Sequence, residues 1–350
     1  MVNVAVTGVT GMIGGAVGRC FVERGHTVRG IARRPGTTDG LPFEVATAAI
    51  DDGAALRKAL ADCEIAVHCA AVYAYGSQNH AEVSAVNVEG TRMLLEAAID
   101  AGVRRVVITS SAVTAGSSVD GSVHDERHSP TSEYTPPYFV SKVRQERTAL
   151  RMACDDLEVV IACPTVVMGG PSSRLVPSNA IILRYLLDFF RSTYPGGCNV
   201  VSVDDVAQAH LILAEHGVSG ERYLVGGDNL SWKTLHSLIA DLTGVPGPRF
   251  EIPTTTAYLT SAAAEAWARF AETEPLSTRE EALTIGRFYW YSHDKLGALG
   301  YAPEPARAAV ASALAWLLTS PQLPRWVREG MRPMPEVRAG RPLIGRPLPG

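Results

Sequence analysis

Two hydrophobic periods alternate along the first half of the chain. β-formers Val4, Val6 and Thr7 stop at a glycine, and apolar positions then recur at helical spacing from about residue 12 to 24. The same alternation repeats. Thr27–Ala32 reads as a second strand after Gly25-His26, and Leu56 and Leu60 place a helix over 52–60. Glu64–Cys69 reads as a fourth strand, running into Ala70-Ala71. A longer helix over 80–101 carries Val83, Val86, Met93, Leu94, Ala97 and Ala98, with Asn87 among them and Gly102 as its cap. Val103–Thr109 is a fifth strand ending in Ser110-Ser111, and Leu157–Ala162 a sixth, ended by Cys163-Pro164. Strands alternating with helices at this interval predict an α/β fold, a Rossmann-type doubly wound parallel sheet.

The first turn carries chemistry. Gly8, Gly11 and Gly14 stand three apart between the first strand and the first helix. Gly8 permits a sharp turn, Gly11 lets bare backbone approach a pyrophosphate, and Gly14 lets the helix lie close on the strand. Thr10, Met12 and Ile13 fall in the turn and helix start, where N–H groups and the positive dipole end favour an anion. The expectation is a dinucleotide site. A site specific for NAD places a carboxylate after the second strand to hold ribose hydroxyls; Arg33 and Arg34 stand here instead. A guanidinium pairs with a 2′-phosphate, so NADP(H) is expected over NAD(H). Small residues at the fourth-strand end, Cys69, Ala70 and Ala71, leave room in the crevice.

Beyond residue 112 the pattern breaks into a Ser-, Thr- and Pro-rich stretch, 115–137, long enough to be a lid or binding loop. His124 and His128 within it show no helical period, and no metal site is expected. Tyr138 and Lys142 then open a helix running to about Cys154, and residues four apart share a helix face. An ammonium beside a phenol is expected to lower its pKa from about 10 and make Tyr138 a usable general acid or base. The chain holds only four lysines: Lys58, Lys142, Lys233 and Lys295.

Composition narrows the class. The net charge of −4 over 350 residues argues against a nucleic-acid partner. The longest apolar stretch, Ile181–Phe190, is broken by Arg184 and Asp188, so no membrane span is expected. With a strand starting near residue 3, no signal peptide is expected, and six scattered cysteines fit an expectation of reduced thiols in the cytoplasm. Residues 1–168 are expected to form the dinucleotide-binding domain, with 199–216 returning to it. Residues 169–198 and 217–320 are expected to form a smaller, mostly helical substrate lobe, rich in aromatics (Trp232, Tyr258, Trp267, Phe270). The Pro- and Arg-rich tail, 321–350, reads as an extended arm or a disordered segment. The oligomeric state is open between monomer and homodimer.

Together the Gly8-x-x-Gly11-x-x-Gly14 turn, the Ser-rich fifth-strand end and Tyr138-x-x-x-Lys142 resemble the extended short-chain dehydrogenase/reductase superfamily. Asn87-Val88-Glu89-Gly90-Thr91 and Val203-Asp204-Asp205-Val206-Ala207 resemble its dihydroflavonol-reductase-like, epimerase/dehydratase-related group. The resemblance implies that Ser111 hydrogen-bonds the substrate oxygen, with Ser110 second for that role. It implies Tyr138 as proton donor and Lys142 as the residue that holds the nicotinamide ribose and tunes the tyrosine. Pro164 to Val167 line up beside the carboxamide. Two departures stand out. Ala48-Ala49-Ile50 replaces the family's Gly-Asp-Leu, leaving adenine to backbone near Ile50 or to Asp51. Ala112-Val113-Thr114 offers no acid after the serine, against dehydratase or decarboxylase chemistry.

The expected activity is therefore reduction of a small-molecule carbonyl compound with NADPH. An NAD-retaining sugar-nucleotide epimerase is the alternative, and a cofactor-sensing binding protein without turnover is a third reading.

Overall fold

The computed structural model describes residues 1–34, 40–72, 83–130, 136–172, 174–271 and 278–338. In chain order the strands are β1 (Asn3–Thr7), β2 (Thr27–Ala32), β3 (Glu44–Thr47), β4 (Ile65–His68), β5 (Arg105–Thr109), β6 (Glu158–Pro164), β7 (Val166–Met168), β8 (Ser192–Thr193), β9 (Gly197–Ser202), β10 (Arg222–Val225), β11 (Asp228–Ser231), β12 (Phe250–Glu251) and β13 (Phe288–Tyr289). The helices of eight residues or more are α1 (Met12–Glu23), α2 (Gly53–Leu60), α3 (Gly90–Ala101), α4 (Pro137–Arg151), α5 (Pro177–Leu187), α6 (Val203–His216), α7 (Trp232–Thr243), α8 (Thr254–Ala271) and α9 (Ala306–Thr319).

Seven strands form one parallel sheet in the order β10-β6-β5-β4-β1-β2-β3. The order reverses between β1 and β4, the switch point at which doubly wound sheets bind their ligands. Alternate side chains of each strand serve opposite layers. Val4, Val6 and Val107 face a core shared with α1 and α6, while Ala5, Val106 and Ile108 face one shared with α2 and α3. Near-continuous apolar strands are what two-sided burial requires.

The starts of α2, α6 and α7 are capped by Asp52, Ser202 and Ser231, each accepting a backbone N–H three residues on. The long helix expected over 80–101 divides: Ala85–Glu89 is π-helical and α3 begins at Gly90, the expected first turn lying outside the described residues.

Two chain segments change sides relative to the expected division. β10, expected in the lobe, completes the main sheet beside β6. β9, expected to return to that sheet, instead pairs with β7, β11 and β13 in a second sheet, and only α6 comes back to pack on α1. β10 is four residues long and carries no period of its own, which is why it escaped notice. A third core, with Ile182, Leu186, Leu235, Ile239, Leu314 and Leu317, joins α5, α7 and α9 over the second sheet. The start of the tail does lie over the body, but in short helices (Arg325–Gly330, Pro335–Arg338) rather than extended: Arg332 and Met334 donate backbone hydrogen bonds to Thr243 and Leu242, and Val327, Met331 and Val337 are buried. The rest, 339–350, lies outside the described residues. No helix among the described residues is long and apolar enough to cross a membrane, and all six cysteines are free thiols.

Candidate active site

At the carboxyl end of β1 the chain turns at Gly8, whose φ is +70° and whose added Cβ would lie 2.8 Å from the Ala70 nitrogen. The exit from β4 therefore passes directly against the turn. A Cβ on Gly14 would meet the Gly8 carbonyl oxygen at 2.4 Å, so α1 rests on the end of its own strand. Among the described residues beyond its chain neighbours, a Cβ on Gly11 would meet only Gly8 O, at 3.2 Å, which leaves bare backbone open on that side. α1 then starts with no side-chain cap and no acidic residue in its first turn. Its first N–H groups and dipole are thus available to an external anion, and the cradle fits a dinucleotide pyrophosphate.

Thr10 and Ile13 sit half-buried at this turn, while Met12 is in the core behind it. Arg33 and Arg34 are exposed immediately beyond β2. Cys69 and Ala70 are half-buried and Ala71 exposed on the exit from β4. Ile50 packs against Gly90, where a Cβ would approach its Cγ1 to 2.7 Å. Asn87 is fully buried and pins the same exit, exchanging hydrogen bonds with Val72 N (2.9 Å) and Val72 O (3.0 Å). Pro164 ends β6 and Val167 lies in β7, both buried where the two sheets meet.

Two strands from β1 at the same carboxyl edge, β5 delivers Ser110 and Ser111, and α4 starts with Pro137 at a position where a missing N–H costs nothing. Tyr138 therefore lies in the first helical turn and Lys142 in the next. The Tyr138 hydroxyl is hydrogen-bonded to Ser111. Ser110 turns the other way and donates to Glu146 Oε1 at 2.5 Å. Glu146 in turn accepts from Arg222 Nη1 at 3.2 Å, and Arg222 reaches the carbonyls of Glu126 and His128, tying the 115–130 loop to β10 and α4. Of the two candidate serines, only Ser111 meets the phenol.

Tyr138 and Lys142 are 7% and 2% exposed. Burial raises the Tyr138 pKa well above that of an ordinary phenol, and the Ser111 hydrogen bond only partly opposes it. This corrects the expected lowering by Lys142. The ammonium lies 6.0 Å from the ring centroid. It donates instead to Thr109 O (3.0 Å) and Gln145 Oε1 (2.8 Å). Helical spacing showed that the two side chains share a face, and it carried no information about desolvation. Burial also pulls Lys142 down to about 8, with Glu146 opposing. A phenol held protonated beside a hydroxyl, above a cation, can give a proton to an oxygen that gains charge.

Sequence reasoning passed over His68, Thr91 and Gln145, all buried beside this group. His68 and Thr91 look like ordinary interruptions of an apolar strand and helix, and Gln145 stands among charged residues where one more polar side chain carries no signal. In the polar loop, His124 and His128 stack with centroids 4.3 Å apart. Among the described residues no group of three or more His, Cys, Asp or Glu side chains is placed to hold a metal ion.

Residues 4–226 match the NAD dependent epimerase/dehydratase family. The chain belongs to that family. Within it, the chain is similar to the sterol demethylase protein B of Methylococcus capsulatus (strain ATCC 33009 / NCIMB 11132 / Bath), 32% identical over 332 residues that cover 89% of this chain and 97% of the relative. It is also similar to the cinnamoyl-CoA reductase 1 of Oryza sativa subsp. japonica, 32% identical over 259 residues, 68% of this chain and 75% of the relative. The crystal structure of gox2253 superposes with a TM-score of 0.79 at 33% identity, covering 92% of this chain and 99% of that one. As a member of the epimerase/dehydratase family, itself of the extended short-chain dehydrogenase/reductase type, the protein is an NAD(P)-dependent oxidoreductase using a nicotinamide cofactor.

Proposed function

We propose that this family member is an NADPH-dependent ketoreductase acting on a bulky, partly apolar small molecule. The observation that carries the reading is the hydrogen bond of the buried Tyr138 to Ser111, at the same sheet edge as the glycine turn, with the buried Lys142 ammonium 6.0 Å from the phenol ring. A bound reduced nicotinamide supplies the hydride. Ser111 orients the carbonyl oxygen by donating to it, and Tyr138, kept protonated by its burial, gives its proton to that oxygen as charge develops there. Lys142 stabilises the phenolate left behind and holds the nicotinamide ribose. Arg33 and Arg34, standing where a carboxylate would select NAD, support the 2′-phosphate form.

Aromatic rings extend from the reacting phenol. Phe139 packs edge-on to Tyr138 and to Tyr289, both with centroids 6.2 Å apart. Rings gathered next to the reacting phenol support an apolar ring system over a sugar as substrate. The reductase name of a relative from Oryza sativa subsp. japonica supports carbonyl reduction.

Tyr138→Phe tests the reading: reduction of a test ketone should be abolished while NADPH affinity, read by fluorescence titration, stays near wild type. Unchanged turnover would remove Tyr138 from the mechanism. The family's epimerase activity supports a second reading, which differs in one cheap respect. An epimerase would purify with its nucleotide and need none added, whereas a ketoreductase consumes NADPH stoichiometrically.

A further inference from the structure

The Lys142 ammonium is held by neutral acceptors, and one of them is itself held in a fixed orientation. Gln145 Oε1 accepts from Lys142 Nζ at 2.8 Å, and Gln145 Nε2 donates to Thr91 Oγ1 at 2.8 Å. Thr91 has one hydroxyl hydrogen, and it goes to Asn87 O at 2.8 Å. Thr91 Oγ1 can therefore only accept, both from Gln145 and from His68 Nε2 at 3.1 Å. Hydrogen on His68 Nε2 leaves Nδ1 as an acceptor for the Thr7 hydroxyl at 2.8 Å, and Thr7 Oγ1 accepts from Ala70 N at 3.2 Å. Each contact in this run pairs one donor with one acceptor. A flipped amide would set an NH2 against the ammonium and a carbonyl against an acceptor, so Gln145 has one satisfactory orientation.

We propose that Gln145 is a positioning residue for Lys142, fixing both the place and the charge of its ammonium at the end of a buried chain of hydrogen bonds that begins at Thr7, beside the glycine turn. The inference rests on the reading of Lys142 as the cation of the reductase site and deepens it. Other titratable groups near Lys142 do not hydrogen-bond it, although Glu146 favours its charged form through space. Glu146, on the same helix, is engaged by Ser110 and Arg222. His68 is pushed down to about 3 and stays neutral, and Cys69, with the Cys163 thiol of β6, is pushed up by burial. Tyr138 on the preceding turn stays protonated, and β5 offers only the Thr109 carbonyl. Gln145 is thus the side-chain acceptor that can be changed without touching the reacting groups.

With four lysines in the chain, selective 13C-lysine labelling gives four ε-carbon signals, and loss of one in Lys142→Met assigns it. Its titration is followed in full-length wild type, Gln145→Leu and Gln145→Glu without added nucleotide. A hydrogen bond to a charged group favours that form by roughly tenfold or more, so removing the acceptor should lower the Lys142 midpoint by about one pH unit. A carboxylate at the same place should raise it by a similar amount. A residue that merely fills space would not move the midpoint in opposite directions in the two variants. Identical midpoints in all three proteins would overturn the proposal. NADPH-dependent ketone reduction is measured separately on wild type. Its absence would count against the reductase reading alone, because the titration needs no turnover.

Discussion

The carboxyl edge of the main sheet and the lobe beside it are both tightly buried, yet they are built from different materials. The edge is packed with polar side chains: His68, Asn87, Thr91, Lys142, Gln145 and His210 are almost wholly enclosed. The lobe core is mainly aliphatic, with leucine, isoleucine, valine and alanine from α5, α7 and α9 outnumbering Tyr185 and the few buried polar side chains such as Asn179, His236 and Thr243. An aliphatic core specifies shape, and swaps of similar volume are tolerated. A buried polar network specifies direction as well, because each donor left without its acceptor carries a desolvation cost. The edge is where atoms must stand at fixed angles to a reacting carbonyl. The lobe has only to hold its helices in place.

This contrast makes its largest prediction at Tyr138. Removing one oxygen in Tyr138→Phe should cut kcat by roughly 10³-fold, the scale of a lost general acid, with Tm nearly unchanged. Leu314→Ala, in the lobe core, should do the converse. It should cost about 2–5 kcal/mol of stability by chemical denaturation, while kcat well below Tm stays within a small factor. A lobe substitution that abolished catalysis in folded protein would break the distinction between the two regions.

A third change sharpens it at the rim. Arg33→Ala should weaken NADPH binding about 10- to 100-fold, the scale of a charge-assisted pair, with NADH binding much less affected. Equal losses for both nucleotides would show that Arg33 does not meet the phosphate.

Much of the edge was legible in the sequence because its backbone requirements are local. A turn against Ala70 and a helix resting on its strand both demand glycine at set offsets, and β2 spans Thr27–Ala32, the bounds its apolar run indicated. The hydrogen-bonded run behind Lys142 was not legible. Thr7, His68, Thr91 and Gln145 come from two strands and two helices, and nothing in their spacing says that they meet. The same limit hid the pKa of Tyr138: proximity to a cation is visible four residues away, whereas burial depends on what packs against the helix from elsewhere in the chain. β10 escaped because a four-residue strand is recognised only by the neighbour it pairs with.

The smallest predicted effect separates the cost of the polar edge from its use. An unfolded chain keeps the Lys142 proton to an ordinary 10.5, whereas the buried ammonium gives it up near 8. Between these values the unfolded state binds more protons than the folded one, so raising the pH favours the folded wild type. Below about 8 both states are protonated and the full penalty of burying the charge is present; above 10.5 neither is, and the penalty is gone. Lys142→Met has no such group and lacks this contribution. The Tm of wild type relative to the variant should therefore rise between pH 7 and 10, by about a few degrees for a chain of this size. Reduction should move the opposite way. If the charged ammonium is what stabilises the phenolate, wild-type kcat/KM falls as pH passes through about 8, while the fold gains stability. Activity and stability then separate along one pH axis, and parallel profiles would show that the charge on Lys142 is not what the site uses.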